Sequence, residues 1–124
     1  MCERKHVVQE KSYTFALEIL KLCRWLSETK KEYVISKQLL KSGTSIGANV
    51  EEAIGAQSRK DFHAKLTIAC KEARETHFWI RLLQDADILD RKIAEKTLND
   101  CTELLKLLTS ILRTLQAKIK IIHY

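Results

Sequence analysis

The sequence predicts an all-α protein, a single-domain four-helix bundle with antiparallel up-down-up-down topology over residues 1–124. Three observations lead to this prediction. The 124 residues include no proline and only three glycines, too few turn residues for a β-rich fold of this size. Apolar residues recur at alternating steps of three and four, the period of one helical face. A composition of 45% hydrophobic and 31% charged residues is typical of a globular chain with one buried core.

The first helix is predicted over residues 12–29 and the fourth over residues 90–118. Ser12 is a good N-cap residue, which places the first helical turn immediately after it. The first helix then carries an apolar stripe, made of Phe15, Ala16, Ile19, Leu20, Leu22, Cys23 and Leu26. The fourth helix has the same alternation from Leu98 to Ile119. Both helices therefore present one apolar face to a common core.

The second helix is predicted over residues 34–56, with Gly43 and Gly47 inside it. Each glycine destabilises a helix by about 1 kcal/mol relative to alanine. Two glycines one turn apart therefore favour a close approach by another helix. A break at Gly43 and Thr44 is the alternative, but the unbroken apolar spacing over residues 39–54 favours a continuous helix.

The third helix is predicted over residues 59–86, after a capping-box sequence with Ser58 as the N-cap and Asp61 in place of Glu or Gln. Its apolar seam has a 3.5-residue period and is centred on Ala69. A second apolar group falls on another side of the helical wheel and consists of Ile68, Phe78, Trp79 and Leu82. Because one core cannot take both groups, this side is a candidate surface for self-association. A third helix wrapped on both sides by its neighbours is the alternative.

The chain carries 22 basic and 16 acidic residues, and its net charge of +6 permits contact with nucleic acid without requiring it. Four cations share about a quarter of the wheel of the third helix. They are Lys60, Lys71, Arg74 and Arg81. Such a strip can contact phosphates and is a candidate nucleic-acid-binding surface. The alternative is a solvated face, on which Glu75 and Asp85 pair with the cations one turn before them.

No catalytic site, metal site, cofactor or small-molecule substrate is predicted, and the chain is not expected to be an enzyme. The Glu-x-x-His motif of di-iron bundles occurs only in residues 3–6, in the N-terminal segment. His63, Cys70 and His77 follow one another at steps of about 10 Å along a helix, too far apart to share one ion. The glycine-containing segment 43–47 lacks the lysine of a nucleotide-binding loop.

The four cysteines lack the paired spacing of a metal or redox motif, and we expect them to be reduced thiols. They are Cys2, Cys23, Cys70 and Cys101. The sequence has no run of eighteen uncharged apolar residues, so no membrane span is predicted. The charged residues 1–11 lack the apolar core of a signal peptide, and a cytoplasmic location is therefore expected.

One long segment is more specific than a periodic pattern. Residues 33–53 read YVISKQLLKSGTSIGANVEEA, and positions 57–62, 71–76 and 79–83 read QSRKDF, KEARET and WIRLL. These segments resemble the bacterial 23S rRNA intervening-sequence protein family, whose members are also labelled four-helix bundle proteins. The resemblance extends over nearly the whole chain, from residue 15 into the fourth helix.

The resemblance implies a four-helix bundle that assembles into a homopentamer and has no catalytic residues. In a related group, a basic pentamer engages a reverse transcriptase and nucleic acid. The basic character carries over to this chain at Lys37, Lys41, Arg59, Lys60, Lys71, Arg74 and Arg81. The expected function is a non-enzymatic homo-oligomeric scaffold that contacts nucleic acid through basic residues. A sequence-independent RNA- or DNA-binding protein is the alternative.

Overall fold

The computed structural model of the protein consists of four helices: α1 (Cys2–Glu28), α2 (Val34–Ile54), α3 (Arg59–Asp85) and α4 (Arg91–His123). The structure describes the backbone of residues 2–123 and the side chains of residues 3–118. Each helix packs against the next one along the chain, and α4 also packs against α1. Of these four helix–helix contacts, the one between α1 and α4 is the least extensive. The predicted all-α four-helix bundle is confirmed. Helix α4 is longer than expected, and the side chains of its last residues, like that of Cys2, lie outside the described set.

The start of α1 shows that the N-cap predicted at Ser12 is wrong. The helix begins at Cys2, and Ser12 lies well inside it with only 1% of its surface exposed. The Ser12 hydroxyl donates to the Gln9 carbonyl at 3.1 Å, a bond that a serine inside a helix can make. The physical reason is packing, because Val8 is buried in the core and extends the apolar stripe beyond Ser12. Leu20, which was assigned to that stripe, is 40% exposed.

Helix α2 continues without a break through Gly43 and Gly47, as predicted. Both glycines are buried where α1 crosses α2. A Cβ atom on Gly43 would lie 2.7 Å from Cγ2 of Ile19, and one on Gly47 would lie 3.2 Å from the Ser12 carbonyl oxygen. The missing side chains therefore let the two helices approach closely. This close packing compensates for the low helix propensity of the two glycines.

The first turns of α2 and α3 are capped by side chains. Ser58 has extended backbone angles, and its Oγ accepts a hydrogen bond from the Asp61 N–H at 3.0 Å, which confirms the predicted cap. At α2 the cap comes from Glu32, whose carboxylate accepts hydrogen bonds from the N–H groups of residues 34–36, the shortest being 2.7 Å to Ser36. These contacts satisfy backbone donors that have no partner within the helix.

The core draws on all four helices and includes one pair of buried hydroxyls. The fully enclosed side chains include Ile19, Leu26, Leu39, Ile46, Ile80, Leu108 and Ile111. Between α2 and α3, the hydroxyl oxygens of Ser42 and Thr76 lie 3.0 Å apart, and Thr76 Oγ1 is 2.8 Å from the Glu72 carbonyl oxygen. These polar groups are hydrogen-bonded, as the large majority of buried polar groups are.

Candidate interaction surfaces

The buried cysteines are poorly suited to chemistry. Cys23, Cys70 and Cys101 are free thiols enclosed in the bundle. Burial raises the pKa of Cys23 and of Cys101 to about 12, and burial likewise raises the pKa of Cys70. Thiols with such pKa values stay protonated at neutral pH and are weak nucleophiles. The Cys101 thiol instead donates to the Ala73 carbonyl at 3.2 Å and helps to join α3 to α4.

The described side chains do not assemble a metal site. No group of three or more His, Cys, Asp or Glu residues among them is placed to hold a metal ion. His77 is half-buried, and burial, followed by the charge of Arg81, lowers its pKa, which disfavours the imidazolium form. Of the helices in the described part of the chain, none is long and apolar enough to span a membrane.

The second apolar side of α3 lies largely outside the core. We call Ile68, Phe78, Trp79 and Leu82 the α3 apolar surface. Ile68, Phe78 and Leu82 are 39%, 47% and 40% exposed. Trp79 is half-buried and packs against the core, with its ring in a T-shaped contact with Phe78 at 5.0 Å between centroids. Its indole Nε1 is shielded and has no hydrogen-bond partner among the described residues. Trp79 therefore packs against the core and also forms part of the α3 apolar surface.

A further apolar surface, which the sequence reasoning missed, lies on α1. We call Tyr13, Leu17 and Leu20 the α1 apolar surface; they are 69%, 42% and 40% exposed. Their spacing of four and three residues places them on one helical face. The sequence contains this spacing, but the apolar stripe predicted for the first helix places Leu20 in the core. At one end of this surface, Leu20 and Tyr33 line a groove of about 270 Å³ between α1 and α2.

The basic residues of α3 form a solvent-exposed strip. We call Lys60, Lys71, Arg74 and Arg81 the α3 basic strip, and all four are exposed. None of them takes part in an ion pair with another described side chain, so the predicted alternative of pairing with Glu75 and Asp85 is not formed. The strip adjoins the α3 apolar surface, because the Arg81 guanidinium lies 5.9 Å from the centre of the Phe78 ring.

The three remaining candidate cations are distributed around the bundle. Lys41 of α2 lies near the strip: burial and Glu75 raise the pKa of Glu72, while Lys41 and Lys71 oppose that shift. Lys37 instead lines the groove between α1 and α2. Arg59 lines a separate groove at one end of the bundle. The seven candidate cations therefore do not form one continuous site.

A second basic region, absent from the sequence prediction except for Arg74, lies on the outer side of α4. This region, which we call the α4 groove, has a volume of about 470 Å³. It is lined by Arg74, Leu105, Lys106, Thr109, Ser110, Arg113 and Thr114. Arg4 of α1 reaches its edge, where the guanidinium donates to Ser110 Oγ at 2.8 Å and to Thr114 Oγ1 at 3.0 Å.

Two acidic residues of α4 are engaged at the seam with α1. Glu103 pairs with Lys11, and Asp100 and Glu18 both contact Lys96 at 3.0 Å. These hydrogen bonds to carboxylates raise the pKa of both lysines. Asp100 and Glu103 of α4 are thus neutralised by lysines at this seam, whereas Lys106 and Arg113 in the groove form no ion pair with a described side chain.

Comparisons with known proteins agree with this fold and leave the activity open. The model of the family described as 23S rRNA-intervening sequence protein matches residues 4–110. A crystal structure of a protein with unknown function, from the S23 ribosomal protein family of Bacteroides thetaiotaomicron, is 50% identical in sequence. The similarity covers 89% of this chain and 98% of that one, with a TM-score of 0.88. Among curated proteins, none matches. The chain belongs to the 23S rRNA-intervening sequence protein family.

Proposed function

We propose that the protein is a non-enzymatic scaffold that assembles into a homo-oligomer through its α3 apolar surface. The observation that supports this most is the exposure of Ile68, Phe78 and Leu82 beside a core that Ala69 and Thr76 already occupy. Fully burying an exposed large apolar side chain contributes roughly 1.5–3 kcal/mol. Since these three side chains are already more than half buried, each would contribute less than half of that before the cost of association. Contact with a second copy would remove this surface from water.

A closed ring offers a way to use both apolar surfaces. In a ring, each subunit contacts its two neighbours through two different surfaces, and closure leaves neither exposed. The α1 apolar surface is the candidate partner for the α3 apolar surface, since the two lie on different helices of the same subunit. The family resemblance implies five subunits.

The mass of the protein in solution tests this proposal. We expect light scattering to give a mass near five times the 14.4 kDa of one chain. Phe78→Glu with Leu82→Glu should release smaller species that remain helical, because both side chains are exposed in the subunit. Trp79 is left unchanged, since its partial burial would confuse dissociation with unfolding. Ile93→Glu is the matched control, because Ile93 is 41% exposed on α4 and belongs to neither surface.

Mixing variants distinguishes a ring from a symmetric pair. The double variant of α3 keeps its α1 apolar surface, and Leu17→Glu keeps its α3 apolar surface. If the two surfaces bind each other, a mixture of these variants should form a mixed dimer and stop there. A symmetric α3–α3 contact would give no such dimer. A wild-type protein that stays monomeric at high micromolar concentration would refute self-association altogether.

Sequence-independent nucleic-acid binding through the α3 basic strip is the second candidate function. It is favoured by four exposed cations that have no ion-pair partner among the described side chains. Each phosphate contact on duplex DNA contributes about −0.9 to the slope of log K against log salt. Lys60→Glu with Lys71→Glu should therefore weaken binding and flatten that slope by up to about 1.8. Duplex binding that is unchanged in this variant would exclude the strip.

A further inference from the structure

We infer that the α4 groove is a binding site for a chain of phosphate groups. This inference goes beyond self-association and does not depend on it. The groove shares only Arg74 with the α3 basic strip, and its other cations, Lys106 and Arg113, lie on α4. Lys106 and Arg113 were not predicted as site residues, because their positions on α4 do not indicate which helix lies beside them.

The first argument is uncompensated charge. Among the described side chains that line the groove, three are cationic and none is acidic. Arg74, Lys106 and Arg113 form no ion pair with any described residue, although the chain has acidic side chains nearby on the same helix. Glu103 and Asp100 are held at the seam with α1 instead. Clustered like charges repel one another, and a bound polyanion would relieve that repulsion.

The second argument is the donor chemistry of the groove. Two arginines supply planar guanidinium groups, whose paired N–H donors match the oxygens of a phosphate. Arg4 lies at the far edge of the groove, where its guanidinium donates hydrogen bonds to Ser110 and Thr114. The hydroxyls of Thr109 and Thr114 donate to backbone carbonyls of their own helix at 2.7 and 3.1 Å. The cations, rather than these threonine hydroxyls, would therefore supply the contacts to phosphate.

The third argument is the length of the groove and the absence of stacking partners. Lys106 and Arg113 are two helical turns apart, about 10 Å along the axis, which is too far for one phosphate and suitable for several in a row. No aromatic residue is among the described side chains that line the groove. Nucleic-acid bases would have nothing to stack on there, so the site would recognise phosphates without reading sequence. The ligand is either the backbone of a single-stranded nucleic acid or a free oligophosphate.

Salt-dependent titration of the full-length protein tests the site. The probes are a short labelled single-stranded RNA of uniform sequence, followed by fluorescence anisotropy, and tripolyphosphate, followed by calorimetry. Lys106→Glu with Arg113→Glu should weaken RNA binding at least tenfold at low salt. It should also flatten the log–log salt slope by about 1.4, because each single-strand contact contributes about −0.7. Tripolyphosphate should bind the wild type and compete with the RNA.

The two probes distinguish the two sources of phosphate. RNA that binds much more tightly than tripolyphosphate identifies a nucleic-acid backbone, and equal affinities identify a free oligophosphate. Lys21→Glu with Lys92→Glu is the matched control, since it makes the same change in net charge at exposed lysines outside the groove. At near-physiological salt, this control should bind within about twofold of the wild type, because charge effects over distances longer than about 8 Å are then screened.

Further variants separate this inference from the proposals above. Circular dichroism and light scattering on the same samples should show unchanged helicity and mass for the groove variant. If charge reversal disturbs folding, Lys106→Gln with Arg113→Gln removes the charges more gently and should give the same loss of binding. The inference is overturned if the groove variant binds RNA as tightly as the control variant, or if neither probe binds the wild type. It is also overturned if Lys60→Glu with Lys71→Glu abolishes RNA binding while the groove variant keeps it.

Discussion

Replacing Gly43 with valine should destabilise the bundle by about 3 kcal/mol, at the upper end of the usual cost of overpacking a core. A Cβ atom at this position would already lie 2.7 Å from Cγ2 of Ile19. Ile19 is fully buried, and its branched side chain has little freedom to rotate inside a helix. Valine adds two further carbons at the same point, so α1 and α2 would have to separate.

A graded series of variants isolates the cause. Gly43→Ala should cost less than the valine, because about 1 kcal/mol of improved helix propensity offsets part of the overpacking. Gly55→Ala is the control, since its Cβ atom would approach nothing closer than 3.9 Å, and its φ of −85° suits any residue. We expect it to leave stability unchanged or to raise it by up to about 1 kcal/mol.

Urea denaturation at a fixed protein concentration measures these effects, since oligomerisation makes stability depend on concentration. Ile19→Ala should partly rescue Gly43→Ala, because it removes the two carbons nearest the new methyl group. The cost of the double variant should therefore fall below the sum of the two single costs. A valine variant as stable as Gly55→Ala would show that α1 does not cross α2 at Gly43.

Ser12→Leu should cost roughly 2–3 kcal/mol, because it overpacks the same crossing from the opposite side. The Ser12 carbonyl oxygen and hydroxyl lie 3.2 and 3.6 Å from the position of a Cβ atom on Gly47, which leaves no room for a leucine. Ser12→Ala should be close to neutral, since alanine fits the space and favours the helix. Thr14→Leu is the control on an exposed position of the same helix.

The two placements of Ser12 predict opposite results for alanine. A residue at an N-cap would lose about 1 kcal/mol on replacement by alanine, and leucine would cost a similar amount. A residue buried inside α1 tolerates alanine and rejects leucine. Thermal or urea unfolding of the two variants therefore tests the corrected start of the helix. Equal losses for both variants would contradict the buried position.

Much of the fold could be predicted because the sequence patterns that specify it lie within single helices. The spacing of apolar residues within each helix predicted four helices, and Ser58 and Asp61 predicted the start of α3 to the residue. The glycines at 43 and 47 predicted a close crossing, because their cost to an isolated helix needs a compensating contact. These inferences concern one helix at a time, and the helical wheel is sufficient for them.

The interaction surfaces were only partly predictable for the same reason. The wheel separated Ile68 and Leu82 from the core of α3, since both groups lie on one helix. A helical wheel could not predict that Arg4 lies next to Ser110, because those residues are 106 positions apart in the chain and belong to different helices. Nor could it show that Lys37, Lys41 and Arg59 line different parts of the bundle, because the neighbour of each exposed face depends on how the helices are arranged.

By itself, the sequence determined the helical class, the number of helices and the two apolar sides of α3, all of which depend on spacing within one segment. Only the tertiary structure decided where α1 begins, because burial of Val8 against the other helices overrides the capping preference of Ser12. Only the tertiary structure shows the α4 groove, because the packing of the bundle decides which face of each helix lies beside which neighbour. This packing places cations of α1, α3 and α4 together, while Asp100 and Glu103 pair with lysines at the seam between α1 and α4.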